Sequence, residues 1–131
     1  VPHLILEYTD NLKNDLDVAN LLKNINQALL KHSDLIPIGG LRSRAIELND
    51  YVVADGQEDD AFVHATLKLG KGRTDEEKKR ICDELYEAII NDLEPLFNQR
   101  YIAFSLELFE FAHPTYKKNN IHERYKNLKK G

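Results

Sequence analysis

Ala61-Phe62-Val63-His64-Ala65-Thr66-Leu67-Lys68-Leu69, then Gly70-Lys71-Gly72-Arg73, then Thr74-Asp75-Glu76-Glu77: this stretch decides the fold. The first nine residues read as a strand and the next four as a loop. Thr74 with Glu77 three residues later is a capping-box signature, so a helix starts there. Ile81, Leu85, Ala88, Ile89 and Leu93 mark its buried stripe. The helix is expected to run to about Asn91 or beyond, with Pro95 ending or bending it. Tyr101 to Phe111 follows as a second strand, with Ile102, Phe104, Leu106 and Leu108 on one face.

The residues upstream repeat this order. Pro2-His3-Leu4-Ile5-Leu6-Glu7-Tyr8 reads as a strand, with Leu4 and Leu6 on one face and His3, Ile5 and Glu7 on the other. Thr9-Asp10-Asn11 is a turn cluster, and Asp17 is a helix N-cap. Leu21, Leu22, Ile25, Ala28 and Leu29 recur at helical spacing, so 18–32 is an amphipathic helix. Ile36-Pro37-Ile38-Gly39-Gly40 stops it. A strand follows from Leu41 to Leu48, with Arg42, Arg44 and Ile46 on one face. Asn49 to Asp60 is a polar connection, expected to hold a short strand at Tyr51-Val52-Val53.

From Pro2 to Arg42 is 40 positions, and from Phe62 to Ala103 is 41. Similar length and order suggest a duplicated β-α-β unit despite low identity between the halves. Each right-handed crossover makes its two strands parallel. The expected architecture is an α+β domain over 1–131. Its halves, about 1–55 and 60–112, form a four-stranded mixed sheet with two helices on one face. The other face is apolar in places and is expected to pack against other subunits.

The 131 residues suit one domain with an unstapled core. No apolar run approaches the roughly 20 residues of a membrane span, and a secretory leader is not expected. The single cysteine, Cys82, forbids an intrachain disulfide and agrees with a reducing, cytoplasmic setting. The net charge of −4 is uneven: residues 113–131 carry +5, leaving −9 on the rest. An acidic body argues against nucleic acid as a partner. The basic tail, 113–131, is either a solvated terminal segment or an arm that binds an anion or wraps an acidic neighbour.

In a parallel pair, Pro2 and Arg42 begin neighbouring strands and share a sheet edge. If the halves run antiparallel, the end of the third strand returns to that edge and brings Arg73. Arginine presents a planar fork suited to carboxylates, so the ligand class is a small anion with several carboxylates. Cationic neighbours and burial lower the pKa of a proline amine toward the range a proton shuttle needs. Arg44 shares a strand face with Arg42 and is the lesser substrate-binding candidate. A structural salt bridge to an acidic neighbour is its plainer reading.

Several segments, in order, resemble the 5-carboxymethyl-2-hydroxymuconate isomerase family of the tautomerase superfamily. They are Pro2–Tyr8, Ile36–Ala45, Val53-Ala54-Asp55-Gly56, Ala61–His64, Gly70–Arg73 and Tyr116–His122. The Gly72–Lys78 segment is also similar to the shorter 4-oxalocrotonate tautomerase chain. The resemblance implies a homotrimer of β-α-β repeats with no metal or organic cofactor. It implies isomerisation of 5-carboxymethyl-2-hydroxymuconate to its 2-oxo-3-ene isomer in homoprotocatechuate (4-hydroxyphenylacetate) breakdown. Pro2 matches the family's general base, and Arg42 and Arg73 match arginines that hold carboxylates and stabilise developing charge. The chain departs from the pattern at Val1, because that mechanism needs a free proline nitrogen. Two other readings remain. One is a different reaction of the superfamily, namely a general keto–enol tautomerase, a hydratase or a dehalogenase. The other is a non-catalytic trimeric binding module.

Other residues have plainer readings. His3, His32, His64, His113 and His122 lack close metal-ligand spacing. Cys82 reads as a core thiol. Gly70-Lys71-Gly72 precedes a helix but lacks the full phosphate-loop pattern. Asn119, Asn120 and His122 read as structural or interface residues.

Overall fold

Alternation and helical spacing in the sequence become layers in the computed structural model, which describes residues 2–130, with side chains through Lys126. The first half comprises β1 (His3–Thr9), α1 (Val18–Leu30) and β2 (Arg42–Leu48). The second comprises β3 (Ala61–Leu69), α2 (Asp75–Phe97) and β4 (Ile102–Glu110), followed by α3 (Ile121–Lys130). Asp17 accepts a hydrogen bond from the Asn20 backbone at 3.1 Å and starts α1. Thr74 and Glu77 form the expected reciprocal capping box of α2, worth about 1 kcal/mol at such a site.

The strands form one sheet in the order β2-β1-β3-β4. β1 and β2 are parallel, as are β3 and β4, whereas the central pair β1–β3 is antiparallel with His3 opposite Lys68 and Leu6 opposite Ala65. The two β-α-β units therefore meet head to tail. Leu4 and Leu6 of β1 and Val63, Ala65 and Leu67 of β3 bury one sheet face against Leu21, Ile25 and Leu29 of α1 and Ile81, Leu85 and Ile89 of α2. Each such leucine or isoleucine contributes about 1.5–3 kcal/mol by leaving water. The opposite face carries His3, Ile5, Phe62, His64 and Lys68, half-buried, and the more exposed Ile46 and Phe109.

Three expectations need correction or refinement. Tyr51–Val53 is not a strand. The chain turns there, with Gly56 N–H bonded to the Val53 carbonyl at 2.9 Å. Ala54 and Gly56 both adopt positive φ, and Tyr51 is drawn aside by a 2.7 Å bond from its hydroxyl to Asp10. Pro95 does not stop α2 at once: the helix runs beyond Asn91, as expected, and ends two residues past the proline at Phe97. Proline removes one backbone donor, but it stands in the last turn, where Leu93 and Leu96 are buried on either side. The basic tail is not simply solvated. Residues 112–118 are exposed, but α3 then folds back onto the 3₁₀ turn Ile38–Gly40.

Candidate active site

The antiparallel centre of the sheet brings four strand ends to one edge: the starts of β1 and β2 and the ends of β3 and β4. Pro2 stands at the head of β1 and is buried. Its carbonyl accepts a 3.1 Å hydrogen bond from the backbone N–H of Arg42. The Arg42 side chain starts β2 on the open face, beside His3, and is exposed. The predicted pairing of Pro2 with Arg42 is therefore present.

Arg73 has a structural role that the sequence did not show. Its Nε donates to the Leu35 carbonyl at 3.2 Å, its Nη2 donates to the same oxygen, and its Nη1 donates to the Gly70 carbonyl at 3.1 Å. The guanidinium staples the loop leaving β3 to the loop leaving α1. Gly72 makes this possible with φ +121°, a conformation that L side chains rarely adopt. A guanidinium has more N–H groups than these bonds consume, so the remainder are what Arg73 can offer a ligand. Arg44 makes no salt bridge with an acidic neighbour among the described residues. Its Nη1 lies 3.1 Å from His3 Nδ1.

The edge is electropositive. Burial, followed by the charges of Arg44, Arg42 and Lys68, holds the His3 imidazole below its ordinary pKa. His3 is the residue next to Pro2 in the chain. Phe111, just past β4, packs edge-on against His3 with ring centroids 6.3 Å apart. It also walls a groove of about 470 Å³ that Lys71, His113 and Lys117 help to line. Among the described residues no three His, Cys, Asp or Glu side chains gather as metal ligands would. Cys82 packs against the core, and burial raises its thiol pKa, which agrees with a core thiol.

The most important residues read only as structural are in the tail. Asn119 Nδ2 donates to the Gly39 carbonyl at 2.8 Å, while its Oδ1 accepts from Ile121 N–H at 2.7 Å. It therefore starts α3 and fastens it to the turn before β2. His122 then lies against Gly39 and Gly40, and the Gly40 side of that contact also meets Pro2. A second cleft, of about 270 Å³, lies between Pro37–Gly39 and His122, Tyr125 and Lys126. The sequence held a signal for this: Asn119-Asn120 ahead of Ile121, Tyr125 and Leu128 at helical spacing.

Known proteins resemble the chain along most of its length. The profile of the family described as 5-carboxymethyl-2-hydroxymuconate isomerase matches residues 2–125. A 5-carboxymethyl-2-hydroxymuconate Delta-isomerase of Escherichia coli is 37% identical over 128 residues, 96% of this chain and 100% of that one. The crystal structure of a 5-carboxymethyl-2-hydroxymuconate isomerase from Deinococcus radiodurans R1 is 45% identical with a TM-score of 0.90, covering 95% of this chain and 93% of that one. A structure described as a fused 4-OT wild type symmetric trimer, 18% identical, shares the fold with a TM-score of 0.60 over 89% of this chain and 93% of its own. No helix among the described residues is long and apolar enough to cross a membrane. With that profile spanning nearly all of its residues and relatives alike from end to end, the chain belongs to the 5-carboxymethyl-2-hydroxymuconate isomerase family.

Proposed function

We propose that this protein is a cofactor-independent isomerase. It converts 5-carboxymethyl-2-hydroxymuconate to its 2-oxo-3-ene isomer, with Pro2 as general base once Val1 is removed. The observation that carries the reading is the setting of Pro2: buried, at the head of β1, bonded through its carbonyl to Arg42. Arg42, Arg44 and Lys68 surround the adjoining His3. Burial and positive charge both disfavour protonation of an amine, which suits the free proline nitrogen to the role of base. It takes the enol proton and returns it to carbon, shifting the double bond.

The substrate is a polycarboxylate, and the edge supplies its counter-charges. Arg42 presents an exposed guanidinium. Arg73 contributes the N–H groups not given to Leu35 and Gly70. Arg44 and Lys68 set the local potential, with Arg44 as an auxiliary carboxylate ligand. The open sheet face, with Ile5 and Phe62 half-buried and Ile46 and Phe109 exposed, is the surface through which a homotrimer assembles. A cytoplasmic setting suits a chain with one, reduced, cysteine. The deciding experiment is turnover of the hydroxymuconate by protein beginning at Pro2, compared with Pro2→Ala and Arg42→Ala. Full activity in Pro2→Ala eliminates the proline mechanism. Activity on simple enols alone replaces the substrate with that of a general tautomerase.

A further inference from the structure

The two glycines before β2 are shaped around a side chain from the far end of the chain. A Cβ on Gly39 would lie 2.6 Å from His122 Nδ1 and 2.9 Å from the His122 backbone, closer than packed atoms approach. A Cβ on Gly40 would meet His122 Cε1 at 3.6 Å, Pro2 Cδ at 3.7 Å and His122 Nε2 at 3.9 Å. The imidazole therefore runs across both glycines. Its Cε1–Nε2 edge and the proline Cδ thus lie within 4 Å of the same point, the position a Gly40 side chain would take. The hydrogen bonds that dock α3 come from Asn119, not from the imidazole.

We infer that His122 is a catalytic residue of the Pro2 site, donating an imidazole N–H to the substrate's enol oxygen as the proton leaves it. This rests on the reading of Pro2 as the base. To hand over its proton, the enol oxygen must come within roughly 2.6–3.2 Å of the proline nitrogen. Cδ is bonded to that nitrogen, so the oxygen arrives at the space that the imidazole edge borders. Departure of the proton leaves a dienolate with negative charge on that oxygen, and a fixed donor there lowers the barrier. The step balances within the substrate and Pro2. The O–H bond breaks, its proton moves to the proline nitrogen, and the electron pair stays in the dienolate. The N–H bond then gives the proton to carbon as the carbonyl forms. His122 ends as it began. The arginines do not fill this position: Arg73 is bonded to two backbone carbonyls, and Arg42 and Arg44 are exposed on the open sheet face.

The test uses protein whose first residue is Pro2, verified by intact mass, beside His122→Ala, His122→Gln and Pro2→Ala. Kinetics with 5-carboxymethyl-2-hydroxymuconate are paired with hydrogen exchange over residues 121–126. In His122→Ala, kcat is expected to fall about 10²-fold with KM little changed. Glutamine, which keeps an N–H donor, restores much of kcat, and α3 stays protected in both variants. An unchanged kcat in His122→Ala overturns the inference, as does a loss that appears only in KM. If alanine undocks α3, the glutamine variant decides: docked but as inactive as alanine, it overturns the donor role. Loss in Pro2→Ala with none in His122→Ala removes the histidine and leaves the proline base standing. Parent-like turnover in Pro2→Ala removes the base instead.

Discussion

Arg42 is tied to Pro2 by its backbone, not by its side chain: the Arg42 N–H donates to the Pro2 carbonyl at 3.1 Å, while the guanidinium is exposed. Structure and chemistry at this position therefore separate. Arg42→Ala keeps the backbone bond and should leave the unfolding midpoint within the small range typical of surface changes, about ±0.5 kcal/mol. Its kcat/KM should fall by about 10²-fold or more through loss of a carboxylate partner. Arg42→Lys should recover little of this, because a point charge cannot reproduce the planar fork. A large fall in stability with normal turnover would reverse both assignments.

Arg73 should behave in the opposite way. Its bonds to the Leu35 and Gly70 carbonyls join the two crossover loops. Arg73→Ala should lower stability by about 1.5–3 kcal/mol, the range for hydrogen bonds to charged groups, and lower kcat/KM as well. Urea titration in parallel with kinetics checks this. An unaltered unfolding midpoint would mean that the staple carries no stability and that Arg73 serves the ligand alone.

These two arginines show how far the sequence could be read. The strand start of β1 and the parallel crossover put Pro2 and Arg42 together without any structure, because two-residue periodicity and helix length fix which ends share an edge. The antiparallel join of the halves was an assumption that the β1–β3 register bears out. The guanidinium bonds of Arg73 were not legible, since backbone carbonyls such as that of Leu35 leave no mark in residue types. Nor was the docking of α3. A glycine pair reads as a helix stop, and only the fold reveals that Gly39 is bare because His122 occupies the space of its side chain. Tyr51–Val53 failed for a related reason. Strand-forming residues need a ladder partner, and Tyr51 is bonded to Asp10 instead.

His3 should report the electropositive edge directly. Its imidazole pKa is lowered from 6.5, first by burial, then by Arg44 and Arg42. The neutral ring is thus favoured in the folded state, and the unfolded chain takes up its proton at higher pH. Stability is unaffected by His3 well above 6.5. It falls as pH drops through 6.5, and the loss levels off below the folded-state value. The His3 C2 proton should titrate below 6.5 by NMR. Arg44→Gln should raise that midpoint but leave it short of 6.5, because burial, the larger cause, remains. A midpoint unmoved by Arg44→Gln would show that Arg44 does not act on this edge.

Docking of α3 depends on Asn119 and on the bare surface of Gly39. Gly39→Ala places a methyl group where His122 now lies, and Asn119→Ala removes the 2.8 Å bond to the Gly39 carbonyl. Both should release α3, read as faster hydrogen exchange over residues 121–126, and both should lower kcat. Exchange in β1, β3 and α2 should be unchanged, since none of the described side chains of α3 belongs to the central core. Unchanged protection over 121–126 in Gly39→Ala would mean that the contact is loose enough to absorb a methyl group.

Retention of Val1 should impair the chemistry without disturbing the fold. With Val1 attached, the Pro2 nitrogen is a tertiary amide, carries no proton and has almost no basicity. Freed, it is a secondary amine with a lone pair that can take a proton. The fold does not register the difference at the rung that holds the strand, because Pro2 joins β2 through its carbonyl. Its nitrogen donates nothing to the ladder in the amide form. Protein retaining Val1 should therefore match the processed form in circular dichroism, unfolding midpoint and subunit number by light scattering. Its kcat should be lower by about 10²–10⁴-fold, the contribution of general base catalysis. Intact mass assigns each preparation to one form before assay. Near-normal turnover from protein verified to retain Val1 would leave the Pro2 nitrogen without a role and move the base to another residue of the same edge.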